Sequence, residues 1–206
     1  MRIKWMIVLA VMFGLLGFSH LKPEAIAQQQ VENLKNGTLL VRLHQNTATI
    51  KKLKSFYKDK EAMIMTREVR EQNLIQYKAL TMGYKFSEIV FFFGKDSEQI
   101  MAGNYKGVFL NSSLEIDTSI IVDENNPIFI LDIGDIYFEH MSGHQEGFVI
   151  LNSKFEQLAK PFPFYVRKRS GLAIIKRSEL DMALILDKNL TQFYKESIST
   201  QKKRAD

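Results

Sequence analysis

The sequence predicts a single α/β domain with a mixed β-sheet flanked by helices. Three observations carry that reading. The β-rich, largely apolar Thr38–Leu43 (TLLVRL) is followed by a long helical stretch and then by the apolar run Glu88–Phe93 (EIVFFF), and the order strand, long helix, strand, short helix, several strands, helix is that of an α/β domain. No internal repeat or low-complexity linker divides the 206 residues. With 46% hydrophobic and 25% charged side chains, the chain can fill one ordinary core. A thioredoxin-like layout is the alternative, because it also opens strand, helix, strand. Without a cysteine it would have no thiol–disulfide chemistry.

The first residues read as an export signal. Arg2 and Lys4 precede Trp5–Phe18, which carries no charge over 14 residues, long enough for a signal-peptide core and short of the about 20 that span a bilayer as a helix. Ala25-Ile26-Ala27 places small side chains where a signal peptidase needs them. Cleavage is therefore expected between Ala27 and Gln28, with residues 1–27 as signal peptide, 28–36 as a polar lead and 37–198 as the folded domain. An uncleaved anchor is the rival reading of the same segment. No later apolar run approaches spanning length, so no membrane span is expected after cleavage, and the location expected is periplasmic or secreted.

After the first strand, Asn46 or Thr47 can cap a helix with Ile50, Leu53 and Phe56 or Tyr57 on one face and lysines around it. The helical signal resumes after a break near Asp59 and runs to Leu80, with Ile64, Val69, Leu74, Ile75 and Leu80 as an imperfect stripe. Gly83 should stop it. EIVFFF reads as a strand covered on both faces and placed, with the first, near the sheet centre. Asp96 or Ser97 can cap a short helix through Met101. Val108–Leu110, Glu115–Val122, Ile128–Ile133 and Phe148–Leu151 read as shorter strands, and Phe164–Arg169 with Leu172–Lys176 as a hairpin about Ser170-Gly171. Ser178-Glu179-Leu180-Asp181 resembles a capping box, opening a helix to about Ser197 that buries Leu180, Ala183, Leu184, Leu190, Phe193 and Tyr194. Residues 199–206 form a basic tail expected to fray.

Composition and motifs exclude much chemistry. The absence of cysteine removes disulfides, thiolate zinc sites, iron–sulfur clusters and cysteine nucleophiles. The net charge of +5, or +3 after residue 27, is too dilute for a nucleic-acid face. There is no Gly-x-Ser-x-Gly elbow, P-loop or Gly-x-Gly-x-x-Gly fingerprint, and no cofactor is implied. His140 and His144, with Glu139, Glu146, Asp132 or Asp135 nearby, could ligate zinc, although Gly143 breaks the helix that would present both rings together. Arg167, Arg169, Lys176 and Arg177, with Lys168, surround the hairpin and precede a helix start that favours anions, so a phosphate, carboxylate or acidic polysaccharide could bind there; protection of an exposed edge against strand-to-strand aggregation explains them better. His44, at the end of the first strand, could pair with a carboxylate or orient a serine. Asp132 and Asp135 flank Gly134 where a strand end can present carboxylates.

Three segments, NGTLLVRLHQNTATIKKLK (Asn36–Lys54), EIVFFF, and PFPFYVR (Pro161–Arg167), resemble a group of small exported proteins of unknown function from Bacteroidetes-type bacteria. The resemblance implies a bacterial exported protein and carries no activity or site residue. The expectation is an exported, non-catalytic domain that binds an envelope protein or a small ligand. A metal-dependent hydrolase using the His140/His144 loop is the alternative, and a purely structural envelope component needs no pocket at all.

Overall fold

The computed structural model describes residues 22–136, 145–158, 160–170 and 175–205. Helix α1, Pro23–Asn36, leads into β1, Thr38–Leu43. Helices α2, Thr47–Ser55, and α3, Asp59–Gly83, cross to β2, Glu88–Phe93. A 3₁₀ turn at Gly94–Asp96 and α4, Ser97–Met101, precede a long connection to β3, Ile128–Ile136. Then follow β4, Gln145–Asn152, β5, Tyr165–Arg167, the short β6, Arg169–Ser170, and β7, Ile175–Lys176, and finally α5, Glu179–Ala205.

Five strands form one mixed sheet in the order β2-β1-β3-β4-β5. β1 is parallel to both β2 and β3, while β3, β4 and β5 meander antiparallel. The α/β class is as the sequence predicts. The placement of EIVFFF is corrected, because β2 lies at the edge and β3 in the centre. Its burial on both faces is as expected, with Val90, Phe91 and Phe92 all buried, and its outer edge is closed by a connecting segment: the Phe91 carbonyl accepts the Leu110 N–H at 2.9 Å and Phe92 bridges Phe109. Val108, Phe109 and Leu110 are buried there.

That segment also explains two overturned strands. Val108–Leu110 and Glu115–Val122 make only isolated bridges. Asn111 accepts the Ser113 and Glu115 amides, Asp117 the Ser119 amide and Asp123 the Asn125 amide, local bonds that compete with a ladder.

α3 and α5 pack together and supply the layer against which Phe91 lies, its ring 4.2 Å from that of Tyr77. Gly83 belongs to α3 as its last residue. A Cβ there would stand 2.9 Å from the Ala183 Cβ, so the glycine permits a close helix crossing. The predicted stripes are partly out of phase: Ile64, Ile75 and Leu184 are exposed, whereas Met182 and Leu186 are buried. The capping box is present, with Ser178 Oγ accepting the Asp181 amide and Asp181 Oδ2 accepting the Ser178 amide. α5 continues to Ala205, past the expected end at Ser197 and through most of the 199–206 tail.

The lead at 28–36 is helical, as part of α1, and buries Val31 and Leu34. The expected cleavage point after Ala27 falls inside this helix, and Ala27 is itself buried. Residues 1–21 lie outside the described residues.

Candidate functional site

From β1 the chain crosses through α2 and α3 to β2 on one side, whereas β3 lies on the other side of β1. The connections thus diverge at the carboxyl ends of β1 and β3, the place where open α/β sheets form a ligand crevice. Arg42, His44 and Asp132 converge there.

Side chains alternate along a strand, so Arg42 and Asp132 share one face of the sheet. Arg42 donates from Nε to Asp132 Oδ1 at 3.0 Å and from Nη2 to Oδ2, a two-pronged pair. Phe155 lies against the guanidinium, 5.3 Å from ring centre to Cζ. Asp132 Oδ1 also accepts the Ile133 amide at 3.0 Å and lies 2.9 Å from His44 Nε2. Burial opposes ionisation of Asp132, but the hydrogen bonds from His44 and Arg42 and the Arg42 charge outweigh it and hold the carboxyl at about 2. An ionised carboxylate can only accept, so His44 Nε2 is the donor.

Beneath α3, a cleft of about 280 Å³ opens beside this group, lined by His44, Asn46, Gln72, Asn73, Gln76, Ile133, Glu146 and Lys168 among others. Asn73 is buried and donates from Nδ2 to the His44 carbonyl at 2.9 Å, tying the end of β1 to α3. Lys168 pairs with Glu146 and lies 3.9 Å from Glu179, which accepts from Gln72 at 2.9 Å. The wall is therefore rich in amides, with its two charges of opposite sign paired to each other.

An Asp–His pair fixes an imidazole tautomer and can serve a nucleophile at the second ring nitrogen. Among the described residues, no serine or threonine hydroxyl is hydrogen-bonded to His44. What the arrangement offers directly is hydrogen-bonding capacity held rigidly at a strand end.

Of the residues singled out in the sequence, His44 and Asp132 are brought together, and Asp135 stands opposite Glu146 in the β3–β4 ladder. His140 and His144 lie outside the described residues, as does Glu139. Two of the carboxylates considered as their co-ligands are already engaged, Asp132 with Arg42 and His44, Glu146 with Lys168. The basic residues do gather on one ribbon: Arg169 pairs in register with Lys176, and Arg177 donates from Nη1 to the Arg167 carbonyl at 2.9 Å. The start of α5, expected to favour an external anion, is occupied by the Asp181 carboxylate of the capping box. Asn73 and Gln76 were not legible as site residues, because amides within a helical stretch read as solvated face; their interruption of the apolar stripe was the available signal.

Comparison with known proteins finds no matching family model, no similar curated protein and no similar solved structure.

Proposed function

We propose that this is an exported bacterial domain that binds a small polar ligand in the cleft at the carboxyl ends of β1 and β3 and does not transform it. The observation that carries the reading is a polar cleft at the topological switch point whose adjacent carboxylate is fully engaged. Asp132 accepts from Arg42 twice, from His44 and from the Ile133 amide. It is a rigid support for the cleft wall rather than a group free to exchange protons at neutral pH. Gln72, Asn73, Gln76 and Asn46 supply the amide donors and acceptors with which neutral polar ligands are recognised.

The test is ligand-observed NMR of the protein with neutral sugars and with dipeptides, repeated with Gln76→Leu. Binding of one class without turnover, weakened about tenfold or more by the substitution, supports the reading, since losing one buried hydrogen-bonding partner costs about 1 to 3 kcal/mol. Chemical conversion of a bound compound, or one tightly held zinc per chain that is lost in His140→Ala/His144→Ala, replaces it with the hydrolase.

Export is supported by Arg2, Lys4, the apolar Trp5–Phe18 and Ala25-Ile26-Ala27. Intact-mass measurement on protein from its own host should show Gln28 as the first residue. Such processing would leave Val31 and Leu34 of α1 in their buried positions. Full-length protein recovered from the cytosol is the opposing result.

A further inference from the structure

The corner between α2 and α3 presents a cationic, aromatic tip, and we infer that it docks the domain on the surface of an anionic phospholipid bilayer. α2 has no buried residue, and all eight positions from Lys54 to Glu61 are exposed. Phe56 is 63% exposed and Tyr57 94%, and Met63, one turn into α3, is 70% exposed. Five lysines, Lys51, Lys52, Lys54, Lys58 and Lys60, surround them, with only Asp59 and Glu61 opposing. Basic side chains beside exposed aromatic rings match an anionic interface in both respects. The charges are drawn to acidic headgroups, and the rings enter the boundary between headgroup and acyl chain.

The backbone supplies a second, independent observation. α2 ends with the Lys58 amide donating to the Leu53 carbonyl at 3.0 Å and the Tyr57 amide to the Lys54 carbonyl at 3.0 Å. These are the two bonds of a Schellman cap, with Tyr57 at the position that needs a left-handed residue; its φ is 58°. Glycine fills that position most easily, and a bulky aromatic there is strained. Tyr57 therefore does nothing for the turn that glycine would not do better, and its ring makes no buried contact that offsets the strain. A role for that ring outside the domain accounts for both its conformation and its display. The membrane is favoured over an acidic protein partner because the tip is a run of consecutive exposed residues in which aromatic rings and lysines stand together, the combination that an anionic headgroup layer receives.

The chain has no cysteine, so a single label can be placed at the tip of the full-length protein. Ser55→Cys is labelled with an environment-sensitive dye and mixed with phosphatidylglycerol or phosphatidylcholine vesicles; Lys188→Cys on α5 is the distant control. The tip signal reports local insertion even if residues 5–18 hold the chain to the vesicle. Docking predicts a blue shift at position 55 with phosphatidylglycerol, absent at 188, with a midpoint lipid concentration about tenfold or more lower than with phosphatidylcholine. Replacing Lys52, Lys54 and Lys58 with Gln should raise that midpoint about tenfold or more. Tyr57→Gly should weaken the response while leaving Tm unchanged or higher, which a purely structural tyrosine would not do. No shift at position 55, equal response to both lipids, or a response indifferent to the lysines overturns the inference; binding only to soluble acidic protein does so as well.

Discussion

Phe92→Ala is expected to destabilise the domain by about 3 to 5 kcal/mol, the range for removing a fully buried phenylalanine and leaving a cavity. Phe92 has no exposed surface although its strand is the edge of the sheet. It pairs with Arg42 in the β1–β2 register and bridges Phe109 on the other side. Loss of the ring would therefore loosen both the parallel pair and the segment that seals the edge. Marginal domains hold only about 5 to 15 kcal/mol, so much of the total is at stake. Chemical denaturation measures it; a change below about 1 kcal/mol would mean that this edge is not sealed as described. Val90 and Phe91 are buried beside Phe92, so the strand faces apolar surroundings in both directions.

Local chemistry made the elements legible where it was decisive. The break near Asp59, the short helix from Ser97 and the Ser178/Asp181 box all depend on residues within a turn of one another, and all three are found. The position of β2 was not legible. An apolar run shows only that something covers both faces, and here a strandless connection covers the open edge in place of another strand. Val108–Leu110 has the burial and β-propensity of a strand and reaches β2 through the Leu110 amide and the Phe92–Phe109 bridge, but the Asx turns at Asn111 and Asp117 bend the backbone that follows and keep the pairing to isolated bridges.

The site was legible as separate residues and not as a group. His44 and Asp132 each stand at the end of an apolar run, which is where strand ends present functional groups, but 88 positions separate them. Their meeting depends on β3 pairing parallel to β1, a long-range choice that no short window contains. Arg42 was hidden differently. Within TLLVRL nothing marks it as a site residue, whereas its guanidinium lies against Phe155 and is bound to Asp132.

Asp132→Asn is expected to cost about 2 to 3 kcal/mol at neutral pH, because it leaves the partly buried Arg42 guanidinium without its countercharge. The pH dependence separates this charge effect from mere loss of packing. Asp132 titrates at about 2 in the folded chain, below the ordinary 3.8. A depressed carboxyl contributes stability that is fully present above the unfolded value and is lost as pH falls through the folded one. The window is therefore about pH 4 down to about pH 2, and the shift corresponds to about 2 kcal/mol. Urea denaturation of both proteins from pH 6 to pH 2 should show their stability difference constant above about pH 4 and shrinking below it. A difference that stays level down to pH 2 would show that the Asp132 carboxylate is not held in its ionised form by Arg42 and His44. His44, the member of this group that lines the cleft, would then lack its electrostatic anchor.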